Sequence, residues 1–342
     1  MSDYIGEERK RSQNLLIVEG NHEKNKLFWL MFKCFSEICI DMDNVWIYGT
    51  NIYMLYDDIV KEYGLDWAND KDDIDLPFVI SKKQHPNMLR YKEDFTNIIM
   101  VFDYERHDTI FSEGKILEMQ KCFVDAADMG KLYINYPMIE SYQHLRMLPD
   151  NDYAGRKISI ALRPGKKYKA LVRKETGISK LVEFPHKIND VLNKELGIDD
   201  EQIRKKCCDA ILEISDERNI EDAIQRILQD VIKIGSLSTV MHRFKAWIIQ
   251  QGYVHNGQTY WKYMREIFKQ IIRHNVCKAN LIQNGQYEIE DNKYKECFET
   301  LDLTEILKIQ NLCSKDVHTG FIWVLNTCVF FIAEYNFALL TE

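Results

Sequence analysis

Four carboxylates stand at or just past the ends of apolar runs. Glu19 closes LLIVEG, Asp103 and Glu105 close IIMVFDYE, and Glu140 follows a further run in YINYPMIESY. Carboxylates gathered around one point repel each other, and a cation makes such a group tolerable. Oxygen-only ligands suit a hard ion, Mg²⁺ or Mn²⁺. A centre of that kind favours phosphoryl chemistry, in which metal ions activate water and stabilise a leaving oxygen. The competing reading of Glu19 and Asp103 is that they cap the helices that follow, as carboxylates at helix N-termini often do.

The elements that must position these groups alternate in type. Apolar runs at residues 15–18, 45–48, 97–103 and 132–136 read as strands. Between them, residues 23–38, 52–63 and 113–128 carry helical spacing, with Leu27, Leu30, Met31, Cys34 and Phe35 marking the first helix. Residues 66–94, with Asp70, Asp72, Asp73, Asp75, Pro77 and Pro86, look like an insertion. A β-α-β-α-β-α-β order implies a parallel sheet flanked by helices, with function at the carboxyl ends of its strands. Strand alternation sends Asp103 and Glu105 to one side. If the first and third strands are neighbours, Glu19 converges on that pair.

The composition changes after residue 150. Residues 156–180 hold nine Lys and Arg against Glu175 alone, and Lys166, Lys167, Lys169 and Arg173 are candidates for tracking a phosphate backbone, with Tyr168 as a stacking aromatic. A solvated basic linker is the alternative. Helical periodicity dominates 186–275 and returns at 303–313 and 320–340. The expected organisation is therefore an α/β domain over 1–150 and a mostly helical domain with a basic segment over 151–342.

The 342 residues carry a net charge of −8, so a nucleic-acid partner must meet a local basic patch. Nine cysteines without a C-x-x-C pair point to reduced, buried thiols in a cytoplasmic protein. MSDYIGEERKRSQ has no apolar core, so no signal peptide is expected. The run 321–340 contains Asn326, Glu334 and Asn336, which disfavours a membrane span. No Walker-type ATP motif occurs.

An apolar strand ending in Glu-Gly, followed by a helix and later by a strand ending in an acid-x-acid pair, resembles the Toprim domain over residues 14 to about 145. VEGNHEKNKLFW looks like the opening of the Toprim nuclease effectors of PARIS-type anti-phage systems, and IESY is similar to an additional Glu motif of those relatives. The resemblance implies a metal-dependent endonuclease acting on tRNA or DNA. Glu19 would be its general acid/base or a metal ligand. Asp103 and Glu105 would hold the metal, and Glu140 would complete the shell. It also implies a toxic defence effector with a separate ABC-type ATPase sensor, and the helical half would supply a homodimer contact. The pair is Asp103-Tyr104-Glu105 where the family has Asp-x-Asp, and Arg106, His107 and Asp108 stand where it often has Gly. Lys24, Arg106 and Lys131 are candidates for the family's basic residue. These departures leave a second reading, a non-catalytic Toprim-like adaptor in a nucleoprotein complex.

Overall fold

Leu15, Leu16, Ile17 and Val18 are wholly buried, as a run apolar on both faces requires. The computed structural model describes residues 13–38, 40–69, 73–215, 220–232, 238–251 and 257–341; Cys39, Asp70 and Asp72 lie outside them. In chain order the first half supplies β1 (Gln13–Val18), β2 (Val45–Ile47), β3 (Phe95–Asp103), β4 (Val124–Asp125) and β5 (Gly130–Tyr136). They form one sheet in the order β2-β1-β3-β5-β4. β1 pairs in parallel with both β2 and β3, and β3 with β5, so the first and third strands are neighbours.

The crossovers are helical. A π-helical segment over Glu23–Phe28 runs into α1 (Trp29–Cys34). α2 (Ile52–Tyr63) starts where the Asn51 side chain accepts the Met54 amide, and α4 (Glu113–Cys122) starts at the Ser112 cap. Between them lies α3 (Leu76–Gln84), capped by Asp75, the one long helix of the 66–94 segment. Gln84 Nε2 donates to the Ile47 and Tyr48 carbonyls, and Lys24 Nζ to that of Val45. Side chains thus occupy carbonyls of the edge strand β2 that another strand would otherwise seek. The helix expected over 113–128 stops at Cys122, because Val124 and Asp125 pair antiparallel with Lys131 and Gly130.

After residue 150, β6 (Lys157–Ser159) leads into helices α5 (Lys166–Glu175), α6 (Ile178–Lys194), α7 (Glu201–Leu212), α8 (Ile220–Ile232), α9 (Ser238–Gln251), α10 (Tyr260–Asn284), α11 (Tyr294–Glu299) and α12 (Leu303–Cys313). Pro185 sits inside α6 and has no N–H for the Leu181 carbonyl one turn back. The Tyr260 hydroxyl donates to that carbonyl at 2.7 Å. A buried polar group left over by the proline is thereby satisfied from α10.

The expectation of one helix over 320–340 is corrected. That run divides into β7 (Phe321–Trp323), β8 (Leu325–Asn326), α13 (Phe330–Tyr335) and a 3₁₀ turn over Phe337–Leu340. Asn326 is the reason. Its side chain donates to the Ile139 carbonyl and Ser141 Oγ and accepts the Val329 amide, bonds that compete with a continuous helix. β7 pairs with β6, and β8 pairs antiparallel with β5, so the C-terminal segment returns to the first sheet. Phe330 and Phe331 are buried. Among the described residues the cysteines are free thiols, six of them buried, and no helix is long and apolar enough to cross a membrane.

Candidate carboxylate site

β1 and β3 run side by side, Val18 opposite Val101, and β3 continues two residues further to Asp103. Glu19 therefore emerges next to Asp103, and Glu19 Oε2 accepts the Asp103 amide at 3.2 Å. Glu140 follows β5 in a 3₁₀ turn over Ile139–Gln143 and is buried. The structure adds a fifth carboxylate that the sequence reading missed. Glu23 comes four residues after Glu19 and opens the π-helical segment, where it is 94% buried. Gly20 makes room for it, since a Cβ at that position would stand 3.2 Å from Glu23 Oε2. An acidic residue opening the helix that follows Glu19-Gly20 was the available signal.

These groups share one field. Asp103 is 96% buried, and burial raises its pKa well above the usual carboxylate range, with Glu19, Glu23, Glu140 and Glu105 each raising it further. Burial followed by the charge of Glu105 pushes Glu19 up to about 8. Glu23 and Glu105 are raised as well, chiefly by burial. Glu19, Glu23 and Asp103 interact strongly enough that protons bound here belong to the cluster as a whole.

The basic residue that faces the cluster is Lys169 of α5, whose Nζ lies 2.9 Å from Glu140 Oε1. Burial alone would lower Lys169, but Glu140, Asp103 and Glu23 hold it above its ordinary value. Its charge also reaches Glu19 and Glu105. The three expected candidates are engaged elsewhere: Lys24 with the Val45 carbonyl, Arg106 over the Phe111 ring, and Lys131 with Glu334. No motif marks Lys169, which arrives from the other half of the chain. His22 Nε2 stands 3.9 Å from Glu140 Oε1, and burial lowers the pKa of this imidazole.

The acid pair is not placed by strand alternation as expected. β3 stops at Asp103, and Glu105 adopts φ +42°, so a turn rather than a pleat orients its carboxyl group. Non-glycine residues in the left-handed region are uncommon and collect at functional sites. Asn51 braces the far side of this turn, donating to Asp108 Oδ2 at 3.1 Å.

Of the basic segment, Lys166, Lys167 and Arg173 are exposed on α5, and Lys169 turns inward to the carboxylates. Tyr168 is wholly buried and hydrogen-bonded to His144 Nδ1 at 3.2 Å, so it is not a stacking platform. It fastens α5 to the turn that carries Glu140. Arg156 is likewise buried, paired with Asp150, and does not face solvent.

A divalent cation fits this donor set on two observations. Five carboxylates share the field of Lys169, and Glu140 Oε2 is buried without a hydrogen-bond partner. Among the described residues no three acidic, His or Cys side chains already stand as ligands around one point. No family model matches the chain, and no curated protein or solved structure matches it either.

Proposed function

We propose that the chain is a metal-dependent endonuclease that cleaves nucleic-acid phosphodiesters, with a Toprim-like catalytic half. The observation that carries this reading is the convergence of Glu19, Glu23, Asp103, Glu105 and Glu140 at the carboxyl ends of parallel strands, with Lys169 beside them. Asp103, Glu105, Glu140 and Glu23 would hold Mg²⁺ or Mn²⁺, and Glu19 would hold it or carry a proton. The chemistry such an ion brings when bound is activation of water and neutralisation of charge on the leaving oxygen. In the metal-free protein burial and the charge of Glu105 raise Glu19 above the usual carboxylate range, which favours its role as the group that carries a proton. The Lys169 ammonium favours a phosphate next to the carboxylates, and Lys166 and Lys167 on the same helix offer charge to the flanking backbone. An anti-phage role, a separate ABC-type ATPase sensor and a homodimer belong to the same proposal and rest on the resemblance of the two acidic motifs and IESY.

The deciding experiment incubates the full-length protein, alone and with its co-encoded ATPase, with total tRNA and plasmid DNA in Mg²⁺ or Mn²⁺. Cleavage by the wild type that is lost in Glu19→Gln and Asp103→Asn supports the proposal and reveals the substrate class. Absence of cleavage in every combination overturns it and leaves the adaptor reading.

A further inference from the structure

Tyr104, between the two acids, is held at three points. Its amide donates to the Asn135 carbonyl at 3.0 Å, and its carbonyl accepts the Tyr53 hydroxyl at 2.8 Å. Its own hydroxyl donates to Asn311 Oδ1 at 2.6 Å and meets Ser314 Oγ at 2.9 Å. The ring is wholly buried and packs against Phe111 and Tyr136, with centroids 5.4 and 5.2 Å away. Asn311 lies in the last turn of α12 and Ser314 caps that helix, so both partners, Asn311 accepting the phenol proton and Ser314 donating to the phenol oxygen, come from one helix end. A phenol that only filled space would need a single partner; two from one helix terminus make a clasp.

We infer that Tyr104 is a positioning residue, which α12 clasps through Asn311 and Ser314 so that the left-handed turn at Glu105 keeps its carboxyl group among the others. The inference rests on the metal-centre reading above and adds to it a dependence of the site on the C-terminal half of the chain. The reasoning is conformational. A left-handed non-glycine residue persists only where its surroundings over-determine it. Asn51 braces this turn on its C-terminal side, through Asp108 and through Glu105 itself. On the N-terminal side the brace is residue 104. Without the clasp residue 104 keeps only its backbone bonds to Asn135 and Tyr53, so the turn samples extended backbone more often and the Glu105 carboxyl group spends less time in the cluster, while Asp103 stays in β3.

The test is Mn²⁺ titration of the full-length protein by electron paramagnetic resonance, together with hydrogen exchange of residues 104–111 in the metal-free state. Tyr104→Phe keeps the ring and removes the clasp, and Ser314→Ala weakens it from the other side. Tyr260→Phe is the matched control, since it also removes a buried phenol hydrogen bond, but one made to the Leu181 carbonyl. Tyr104→Phe is expected to weaken Mn²⁺ binding several-fold, less than the roughly 10- to 100-fold that follows loss of a group bonded directly to a metal ligand. Exchange across 104–111 should quicken in the same variant, with Ser314→Ala intermediate and Tyr260→Phe unchanged in both readouts. Wild-type affinity and unchanged exchange in Tyr104→Phe overturn the inference. If the wild type takes up no Mn²⁺, the metal reading fails by itself, and exchange still decides whether Tyr104 holds the turn.

Discussion

Raising the pH from 7 to 9 is expected to strengthen the fold through Lys278. This lysine is wholly buried on α10, and its Nζ donates to the carbonyls of Tyr153 and Ala154 at 2.6 Å and of Arg156 at 3.0 Å. Burial, and then the charge of Arg156, pull its pKa from 10.5 down to about 7. A lysine whose folded pKa lies below its unfolded one opposes folding fully below the folded value, and the opposition fades as pH rises towards the unfolded value. With these two pKa values the penalty is about 4 kcal/mol at pH 7 and about 2 kcal/mol at pH 9, at 1.36 kcal/mol per unit. The neutral amine keeps two donors for the three carbonyls, so deprotonation gives up one of these hydrogen bonds, the longest being that to Arg156.

The perturbation is Lys278→Met, which retains the stem and cannot titrate. The assay is urea unfolding under reducing conditions at pH 7 and pH 9. Comparing variant with wild type cancels the other groups that titrate in this window, Glu19 among them. The stability difference should move by about 2 kcal/mol in favour of the wild type between the two pH values. Parallel behaviour of the two proteins would refute the reasoning and mean that the three carbonyls keep the ammonium charged throughout.

The carboxylate cluster makes a prediction for the metal-free protein. Asp103→Asn should melt at a higher temperature than wild type in EDTA, as measured by differential scanning fluorimetry, because it removes a carboxyl group that burial and its acidic neighbours force to take up a proton on folding. Mg²⁺ at 100 times its dissociation constant should stabilise the wild type by about 2.7 kcal/mol and leave Asp103→Asn nearly unmoved; equal shifts in both would place the ion elsewhere. Reversing Lys166 and Lys167 to Glu should weaken nucleic-acid binding and lower the slope of log affinity against log salt by about 2 on duplex, with turnover at saturation retained. An unchanged slope would show that the exposed face of α5 does not meet phosphates.

Much of the α/β half was legible because its signals are local. Continuous apolar runs such as 98–102 mark strands buried on both faces, and caps such as Asn51 and Ser112 mark where helices begin. The adjacency of β1 and β3 brings Glu19 to Asp103, and it followed once the parallel order was read. What could not be read depends on long-range contacts. Lys169 resembles its exposed neighbours in sequence, and only the docking of α5 on the 139–143 turn directs it inward. Tyr168 is buried by that same docking. The turn at Glu105 departs from the pleat because of partners on α2 and α12, and no periodicity encodes those. The run 320–340 has helical composition, yet Asn326 finds better partners beside β5.

The return of β8 to β5 sets an order of assembly during synthesis. Thr327 Oγ1 donates to the Ile134 carbonyl across 193 residues of chain, and Tyr104 meets Asn311 across 207. Closures of that span form late, because the loop they complete must first exist. Strands β1, β3 and β5 leave the ribosome long before α12 and β8, so a nascent chain presents an open sheet edge and an unclasped acid turn until residue 326 has been added. On the nuclease reading, this order separates translation from activity. Glu19, Asp103 and Glu140 meet once β1, β3 and β5 have paired, whereas the turn at Glu105 gains its clasp only when α12 has been made.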